Sequence, residues 1–392
     1  MAKKLSGAVG VDIGSQNIKI AEIRMSGGQP TITAMAQAMT PEGAVDHIGI
    51  HDGEAVGTIL KQLCSSAGVA TKDMVVSIAG QGAVLVRTLE VPNMNPTELE
   101  QHMEWEITRN VPFGEKTIQS DFKAFPPTEE DAQNLEVVMA ISPQSAIDTI
   151  TDVAKKSGRK VAAIDVEPLG LARTLMSGYA EEFHGDTVCV IDIGHKTTAI
   201  NIYRNGQLLM PRQVPVGGEM FTQQIAEALN TSFEDAERIK VEQANIPKDA
   251  KLGESSFAEP ETQAFAPYNP FGDTSEQEEQ SLTPVPAESE PNLDPVFNAI
   301  APVLEELLAE TRRSVDYFRS KGGDVNVILI CGGGAKLKGL AGFIEASLGI
   351  VTRPYDATRG IAMNIKSPSE SVDEGHLEEF AVAVGNGLHV CF

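Results

Sequence analysis

Two short polar turns carry residue types that could bind a phosphate and a divalent cation. The first turn, at 14–17, follows an apolar strand that ends in Asp12, and it leads into a second strand through Lys19. A turn of this kind can aim its backbone N–H groups at an anion, and its leading glycine lets a ligand come close. The carboxylate of Asp12 could hold a hydrated divalent cation, because hard cations prefer oxygen ligands.

The same pattern recurs at 190–202, where a strand ends in Asp192 and another polar turn opens with Gly194. Such an internal repeat predicts two halves of similar fold. If the halves face each other, the two turns would clamp one nucleotide and its metal between them. Each turn alone is equally typical of an ordinary hairpin, since Asp-x-Gly is common at turns. The repetition, together with a third motif, favours the nucleotide site.

The third motif is a continuous apolar run, 325–330, that leads through Gly332–Gly334 towards a helix expected at Leu337–Leu348. The run predicts a central strand that is covered on both faces. Glycines remove side chains that would block a flat ligand, and the N-terminus of a following helix favours negative charge. This platform could lie under the base and ribose of a nucleotide, although a tight strand–helix turn would have the same pattern.

The elements that would position these motifs alternate between strands and helices, which predicts an α/β fold. Residues 81–160 are expected to form a small α+β insertion. The acidic stretch 253–295 has no Lys or Arg and is rich in Pro, Glu, Ser and Gln. Such a segment cannot bury enough apolar surface to order itself, so we expect a disordered loop. The loop would be either a solvated insertion or a short docking motif.

Composition narrows the class of protein. The chain has 392 residues, enough for two or more domains, and a formal net charge of −24. That charge argues against non-specific binding to nucleic acid or to an anionic membrane surface. The sequence has no apolar run as long as a membrane span and no recognisable signal peptide, so we expect a cytoplasmic protein. It also lacks the GxxxxGK[ST] motif of P-loop proteins and the GxGxxG motif of dinucleotide folds.

Four features occur in an order that resembles the actin/Hsp70/sugar-kinase superfamily. They are DxGSxxxK at 12–19, DIGHKT at 192–197, ExxK at 237–240 and three glycines at 332–334. Longer segments resemble the PilM family of type IV pilus assembly proteins, which is related to the cell division protein FtsA; these lie at 91–113, 310–318, 331–340 and 379–388. The resemblance covers almost the whole chain outside the acidic stretch.

The resemblance implies a two-lobed actin-like α/β fold with duplicated halves and the 1C subdomain of FtsA. ATP and Mg²⁺ would lie between the lobes. The implied division is subdomain 1A at 1–80 and 161–186, 1C at 81–160, 2A at 187–220 and 325–392, and 2B at 221–324.

The resemblance also implies the residues of the nucleotide site. Phosphates would be contacted by Gly14, Ser15, Asn17, Lys19, Gly194, Lys196, Thr197 and Thr198. The sugar and base would be surrounded by Gly217, Gly218, Glu237, Lys240, Gly333, Gly334 and Lys336. Asp12 and Asp192 would position Mg²⁺ through water.

Hydrolysis needs a group that orients the attacking water. Glu167, just after a strand of the first half, is the candidate, although a Glu-Pro pair at a strand end is often structural. Gln16 and His195 stand where smaller residues would give a tighter phosphate cradle. The sequence is therefore compatible with weak or absent hydrolysis.

The implied partner is the N-terminal cytoplasmic tail of the inner-membrane protein PilN, lying in a groove formed by 1A and 1C. Apolar anchors in such a groove would take an extended peptide. The inner-membrane pilus assembly subcomplex and pilus motor proteins are further implied partners, and the protein would be peripheral at the inner membrane.

Two other functions stay open. A small-molecule kinase of the same superfamily would need an acidic base near the γ-phosphate. An FtsA-like filament former would carry a membrane-targeting helix at its C-terminus, which this sequence does not show.

Overall fold

The computed structural model describes residues 5–392 apart from 116, 127–132, 248–249, 251–293 and 366–375. The predicted acidic loop therefore lies outside the described residues, except for Asp294 and Pro295, which cap and begin a long helix. Within the described ranges, no helix is long and apolar enough to cross a membrane.

The strands and helices follow the predicted alternation. The strands are β1 (Gly7–Ile13), β2 (Asn17–Ser26), β3 (Gln29–Met39), β4 (Asp73–Ile78), β5 (Leu85–Pro92), β6 (Ile118–Ala124), β7 (Asn134–Pro143), β8 (Lys160–Val166), β9 (Thr187–Ile193), β10 (Thr198–Arg204), β11 (Gln207–Val214), β12 (Val327–Cys331), β13 (Val351–Pro354) and β14 (Ala362–Met363). The helices are α1 (Gly53–Ser66), α2 (Pro96–Asn110), α3 (Gln144–Ser157), α4 (Glu167–Tyr179), α5 (Gly218–Leu229), α6 (Phe233–Gln243), α7 (Pro295–Ser320), α8 (Leu340–Leu348) and α9 (Ala381–Gly387).

The strands form two larger sheets with a shared core topology, and each sheet is the centre of one lobe. The first sheet has the order β14-β3-β2-β1-β4-β8, and the second has the order β11-β10-β9-β12-β13. In each, an antiparallel meander of three strands is followed by a parallel partner for its first strand: β4 for β1, and β12 for β9. The internal repeat of the sequence is therefore a repeat of the fold.

Helices cover both sheets. α1 and α3 pack together on the first sheet, while α5, α7 and α8 contribute to the core beside the second. α4 and α9 belong to the core shared by the two lobes. Since β1 is covered on both faces, all seven of its residues are buried.

Helix α9 packs against its neighbours at backbone distance. A methyl group added to Gly10 in β1 would come within 2.0 Å of the carbonyl oxygen of Ala383. A methyl group added to Gly385 would come within 2.0 Å of the carbonyl oxygen of Gly170 in α4. Glycine in a strand often marks such a close approach of two backbones.

A buried amide completes this contact. Asn386 is fully buried, and its Nδ2 donates to the carbonyl of Val11 and to Ser77 Oγ, at 2.8 Å each. Buried polar groups are costly unless they are hydrogen-bonded, so this network favours one seating of α9 on β1 and β4. The last helix thus packs on strands of the first lobe, although the resemblance implies that 325–392 belongs to subdomain 2A.

The insertion has a core of its own. β5, β7 and β6 form a three-stranded antiparallel sheet with α2 on one face. α2 begins with Asn95 and Glu98 in a capping box and Pro96 in the first turn. α3 packs mainly on α1 of the first lobe, and its first turn also contacts Val86 and Ala140 of this sheet. The expected span of 81–160 therefore includes a helix whose main partner lies in the first lobe.

The second face of this small sheet contacts both lobes. Side chains alternate along a strand, so Leu85, Leu89 and Val91 pack with α2, while Val86 and Thr88 face away from it. Thr88 Oγ1 donates to the carbonyl of Leu209 in β11 at 2.9 Å. Gln207 of β11 likewise bonds Glu136 of β7. Val86 and Ala140 of the same sheet pack with Ile78 and Val166 of the first lobe. The insertion thus contacts both lobes through side chains.

Candidate functional site

A cleft of about 750 Å³ lies between the two lobes. Both polar turns line it, and so do Gly332–Gly334 and the residues of α6 that face inward. The turns meet there because each follows the first strand of its repeat. The sheet topology therefore brings three motifs together that are up to about 320 residues apart in sequence.

The two turns have the same hydrogen-bonded form. In the first, the N–H of Gly14 donates to the carbonyl of Asn17 at 3.1 Å; in the second, the N–H of Gly194 donates to the carbonyl of Thr197 at 2.9 Å. A side chain at either glycine would crowd the opposite carbonyl, at 2.9 and 2.8 Å respectively. Both turns are thus compact and leave their remaining N–H groups for other acceptors.

The glycine platform differs from the expected strand–helix turn. A 3-10 helix occupies Gly333–Lys336, and α8 starts only at Leu340, so no α-helix N-terminus directly follows the glycines. Gly332 has a φ of +82°, and Gly334 is packed against Ile193, where an added methyl would come within 2.3 Å of a side-chain carbon. Gly333 faces open space, with only a Glu379 oxygen at 4.0 Å from an added methyl.

Acidic groups and one lysine meet at the base of the cleft. Lys19 pairs with Asp12 through an Nζ–Oδ2 distance of 3.3 Å. Burial disfavours the Lys19 ammonium, but Asp12, Asp192 and Glu379 outweigh this, so the pKa of Lys19 is raised. Burial raises the pKa of Asp192 to about 6, with Lys19 opposing and Asp12 adding to the shift.

Glu167 joins this cluster from the first turn of α4. Burial raises its pKa to about 8, and the charges of Asp12 and Asp192 add to the shift while Lys19 opposes it. A divalent cation would stabilise all three carboxylates in their ionised form. These carboxylates outnumber the single lysine beside them, and a hydrated cation would neutralise the excess negative charge.

These shifts predict how pH acts on the unliganded fold. The folded-state pKa of Glu167 is about 8 and that of Asp192 about 6, both above their ordinary values of 4.5 and 3.8. The folded protein therefore holds more protons than the unfolded chain, and the associated stability falls as pH rises from about 4 through 8. Glu167→Gln should raise the melting temperature little at pH 5.5 and clearly at pH 8.5. The test is thermal unfolding of both proteins across this pH range, without nucleotide or divalent cation. Melting temperatures that change with pH in parallel for the two proteins would contradict the prediction.

Three further lysines of the cleft are each paired with a carboxylate. Lys196 Nζ lies 2.9 Å from Glu219 Oε1, and Lys336 Nζ lies 2.6 Å from Glu379 Oε1. Lys240 Nζ lies 2.7 Å from Glu237 Oε2 and also donates to the carbonyl of Gly218 at 3.0 Å. The lysines are thus held in position, and an anionic ligand would replace or share their carboxylate partners.

Most of the residues singled out from the sequence line this one cleft. They are Asp12, Gly14, Ser15, Asn17, Lys19, Glu167, Asp192, Gly194, Lys196, Thr197, Gly218, Glu237, Lys240, Gly333, Gly334 and Lys336. Thr198 and Gly217 do not line it. The hydroxyl of Thr198 is buried and donates to the carbonyl of Val216 at 2.7 Å, and Gly217 packs against the backbone of His195.

Other lining residues were not expected from the sequence. The loop 45–51 borders the cleft, where His51 Nε2 lies 2.8 Å from Asp46 Oδ1. Glu379 also lines it, although only 4% of the residue is exposed. The 45–51 loop has no periodic pattern, and the residues next to Glu379 form no binding motif, so neither could be assigned to the cleft from local sequence. Glu379 reaches Lys336 only because the fold places the segment before α9 beside the glycine platform.

Within the described residues, no group of three or more His, Cys, Asp or Glu side chains is placed to ligate a metal ion directly. An ion in the cleft would therefore be held through water and through oxygens of a ligand. Hydrated Mg²⁺ is commonly bound in this way, with one or two carboxylates and phosphate oxygens.

Two family models match the chain. One is described as type IV pilus assembly protein PilM and matches residues 10–254; the other is described as cell division protein FtsA and matches residues 189–385. FtsA of Bacillus subtilis (strain 168) is 35% identical over 86 residues, which are 22% of this chain and 19% of that protein. The chain thus spans about a fifth of that relative's length.

Solved structures resemble the whole chain. A structure of the PilM-PilN type IV pilus biogenesis complex matches with a TM-score of 0.78 and 25% identity, over 100% of both chains. The ethanolamine utilization protein EutJ from Carboxydothermus hydrogenoformans matches in fold, with a TM-score of 0.51 and 15% identity over 98% of this chain and 91% of that one. The predicted two-lobed actin-like fold is confirmed.

Proposed function

The chain belongs to the PilM family of type IV pilus assembly proteins, and on that premise we propose that it is an actin-like scaffold that binds ATP with Mg²⁺ and couples nucleotide state to the pilus machine. The observation that carries the proposal is the pair of matching turns, each beside a strand-end aspartate, that face one cleft of about 750 Å³. A cleft of this size suits a small ligand such as a nucleotide.

The residues of the cleft fit the chemistry of a magnesium nucleotide. Backbone N–H groups of the two turns would receive phosphate oxygens, and Lys19 and Lys196 would add positive charge. Asp12 and Asp192 would hold the hydrated cation, which neutralises charge that the lysines leave uncompensated. Gly333 leaves the space that a flat base or ribose requires.

Lys240 and Glu237 would hold the sugar side of the ligand. Lys240 is anchored by three acceptors, among them Thr222 Oγ1 at 2.7 Å. Thr222 in turn bonds Glu237. Groups held in this way lose little conformational freedom on binding, so they are suited to recognise a ligand.

The same cleft supports binding better than rapid turnover. Glu167 could orient an attacking water only when it is ionised. Its burial and its negative neighbours raise its pKa, and so they oppose ionisation until a cation is present. We therefore propose that ATP is bound and hydrolysed slowly or not at all. Subdomain 1C would be the insertion at 81–160.

The partner we propose is the N-terminal cytoplasmic tail of PilN, with membrane association through PilN. Support comes from the likeness to the chain in the PilM-PilN complex. The peptide would lie in a groove between 1A and 1C, and lobe closure on ATP would alter its affinity. The inner-membrane assembly subcomplex and pilus motor proteins would be reached from this complex.

The decisive experiment is calorimetric titration with a synthetic peptide of the PilN tail from the same genome, with and without Mg-ATP. We expect saturable binding and a change of affinity with ATP of roughly 5- to 150-fold, the usual range of allosteric coupling. Binding that is unaffected by ATP would contradict the coupling. Absence of peptide binding while ATP binds would contradict the adaptor role, and absence of ATP binding would contradict the nucleotide role.

A further inference from the structure

The glycine carbonyl of each turn is anchored from the segment that follows the third strand of its repeat. Gly14 O accepts from Thr40 Oγ1 at 2.7 Å, and Gly194 O accepts from the N–H of Gly218 at 2.9 Å. Thr40 directly follows β3, the third strand of the first meander, and Gly218 comes shortly after β11, the third strand of the second. The two anchors thus come from corresponding segments, although the strand registers match Thr40 with Val216 and not with Gly218.

A second carbonyl of each turn is also held, but at a different position of the turn. Gln16 O accepts from the N–H of Thr40 at 2.9 Å, and His195 O accepts from the N–H of Glu219 at 2.8 Å. Each turn therefore has two hydrogen bonds to the segment after the third strand. What the two halves share is the fixed carbonyl of the leading glycine, which favours one orientation of the peptide group that follows it.

The halves differ in the chemistry of the first anchor. In the second half it is a backbone N–H, which every residue except proline possesses. In the first half it is the hydroxyl of Thr40, a residue that is 8% exposed and does not line the cleft. A side-chain substitution can therefore remove the anchor of the first turn.

The anchor sets the direction of one N–H group. In a planar trans peptide the C=O and the following N–H point in opposite directions. With the carbonyl of Gly14 directed at Thr40, the N–H of Ser15 is directed away from Thr40. Gly14 and Ser15 both line the cleft, so this N–H faces the side from which a phosphate would approach.

We propose that Thr40 is a positioning residue for phosphate binding, because its hydroxyl holds the Gly14–Ser15 peptide in the orientation that presents the Ser15 N–H to the ligand. This inference rests on the proposed nucleotide function. Thr40 itself would touch neither phosphate nor metal. Loss of its hydroxyl leaves the peptide free to rotate, and the first turn then spends part of its time with a carbonyl towards the phosphate.

The test compares Thr40→Val with Thr40→Ser and with a matched control. Valine keeps the shape of threonine without the hydroxyl, and serine keeps the hydroxyl. Thr108→Val makes the same chemical change at an exposed site on α2, where the hydroxyl bonds only the carbonyl of Glu104. Titration of each protein with Mg-ATP and with adenosine separates phosphate binding from binding of the base and sugar.

We expect Thr40→Val to weaken Mg-ATP binding roughly five- to tenfold, the value of one hydrogen bond, and to leave adenosine binding unchanged. Thr40→Ser should restore affinity to within about twofold, and Thr108→Val should match the unaltered protein. Thr40→Ala serves the same comparison if the second methyl of valine disturbs the fold.

Each contrary result is distinct. An unaltered protein that does not bind Mg-ATP overturns the proposed function, and with it this inference. An unaltered protein that binds, with Thr40→Val binding equally well, overturns the role of Thr40 alone. An equal loss for ATP and adenosine in Thr40→Val would show a general structural effect and would likewise overturn it.

Discussion

Replacing Gly385 by alanine is expected to lower the free energy of unfolding by about 3 kcal/mol or more. The added methyl would come within 2.0 Å of the carbonyl oxygen of Gly170, and both atoms belong to helix backbones. Neither can rotate away, so α9 would have to shift from α4 and strain the hydrogen bonds of Asn386. Overpacking of this kind usually costs about 1–3 kcal/mol, and more where backbone must move.

The measurement is chemical denaturation, with Gly342→Ala as the control. Gly342 lies in α8, has no heavy atom within 4 Å of an added methyl, and has ordinary helical backbone. Alanine there should stabilise the protein by roughly 0.5–1 kcal/mol, because glycine is the poorer helix former. Equal midpoints for the two variants would mean that α9 is not seated at backbone distance. Gly10→Ala, at the opposite face of α9, should behave like Gly385→Ala.

Replacing Gly333 by leucine is expected to weaken Mg-ATP binding by roughly ten- to a hundredfold while leaving stability nearly unchanged. The new side chain meets only an oxygen of Glu379, 4.0 Å from its first carbon, so it enters open space in the cleft. A ligand would then have to displace or avoid it, at the usual cost of overpacking.

Two measurements on the same samples separate binding from folding. Calorimetric titration gives the affinity for Mg-ATP, and thermal unfolding without ligand gives the stability. Gly342→Leu, outside the cleft lining, is the matched control and should bind as the unaltered protein does. If Gly333→Leu binds Mg-ATP normally, the three glycines are not part of the binding site. If Gly333→Leu has a clearly lower melting temperature, the space above Gly333 is not open.

Local patterns predicted what depends on local chemistry. The two polar turns at 14–17 and 194–197 could be predicted from a few neighbouring residues. The repeat of Asp-Ile-Gly then indicated the duplicated fold and brought most of the cleft residues together. These features could be predicted because turns restrict the residue types that can form them.

Features that arise from packing could not be predicted in this way. α9 has two glycines among its seven residues, so its helix is formed by contacts with β1 and α4 and not by propensity. β11 contains Pro211 and Arg212, which hide its strand pattern, yet it pairs along β10 with one irregularity. The placement of α3 and of Glu379 likewise depends on partners distant in sequence.

The small sheet of β5, β7 and β6 has a mechanical consequence. Its chain connections and its Val86 and Ala140 side chains attach it to the first lobe, and Thr88 bonds Leu209 of the second lobe. A hinge motion that opens or closes the cleft must therefore shear that contact or tilt the sheet. A rotation between the lobes would therefore displace α2, the outer helix of the insertion, where Trp105 is 55% exposed.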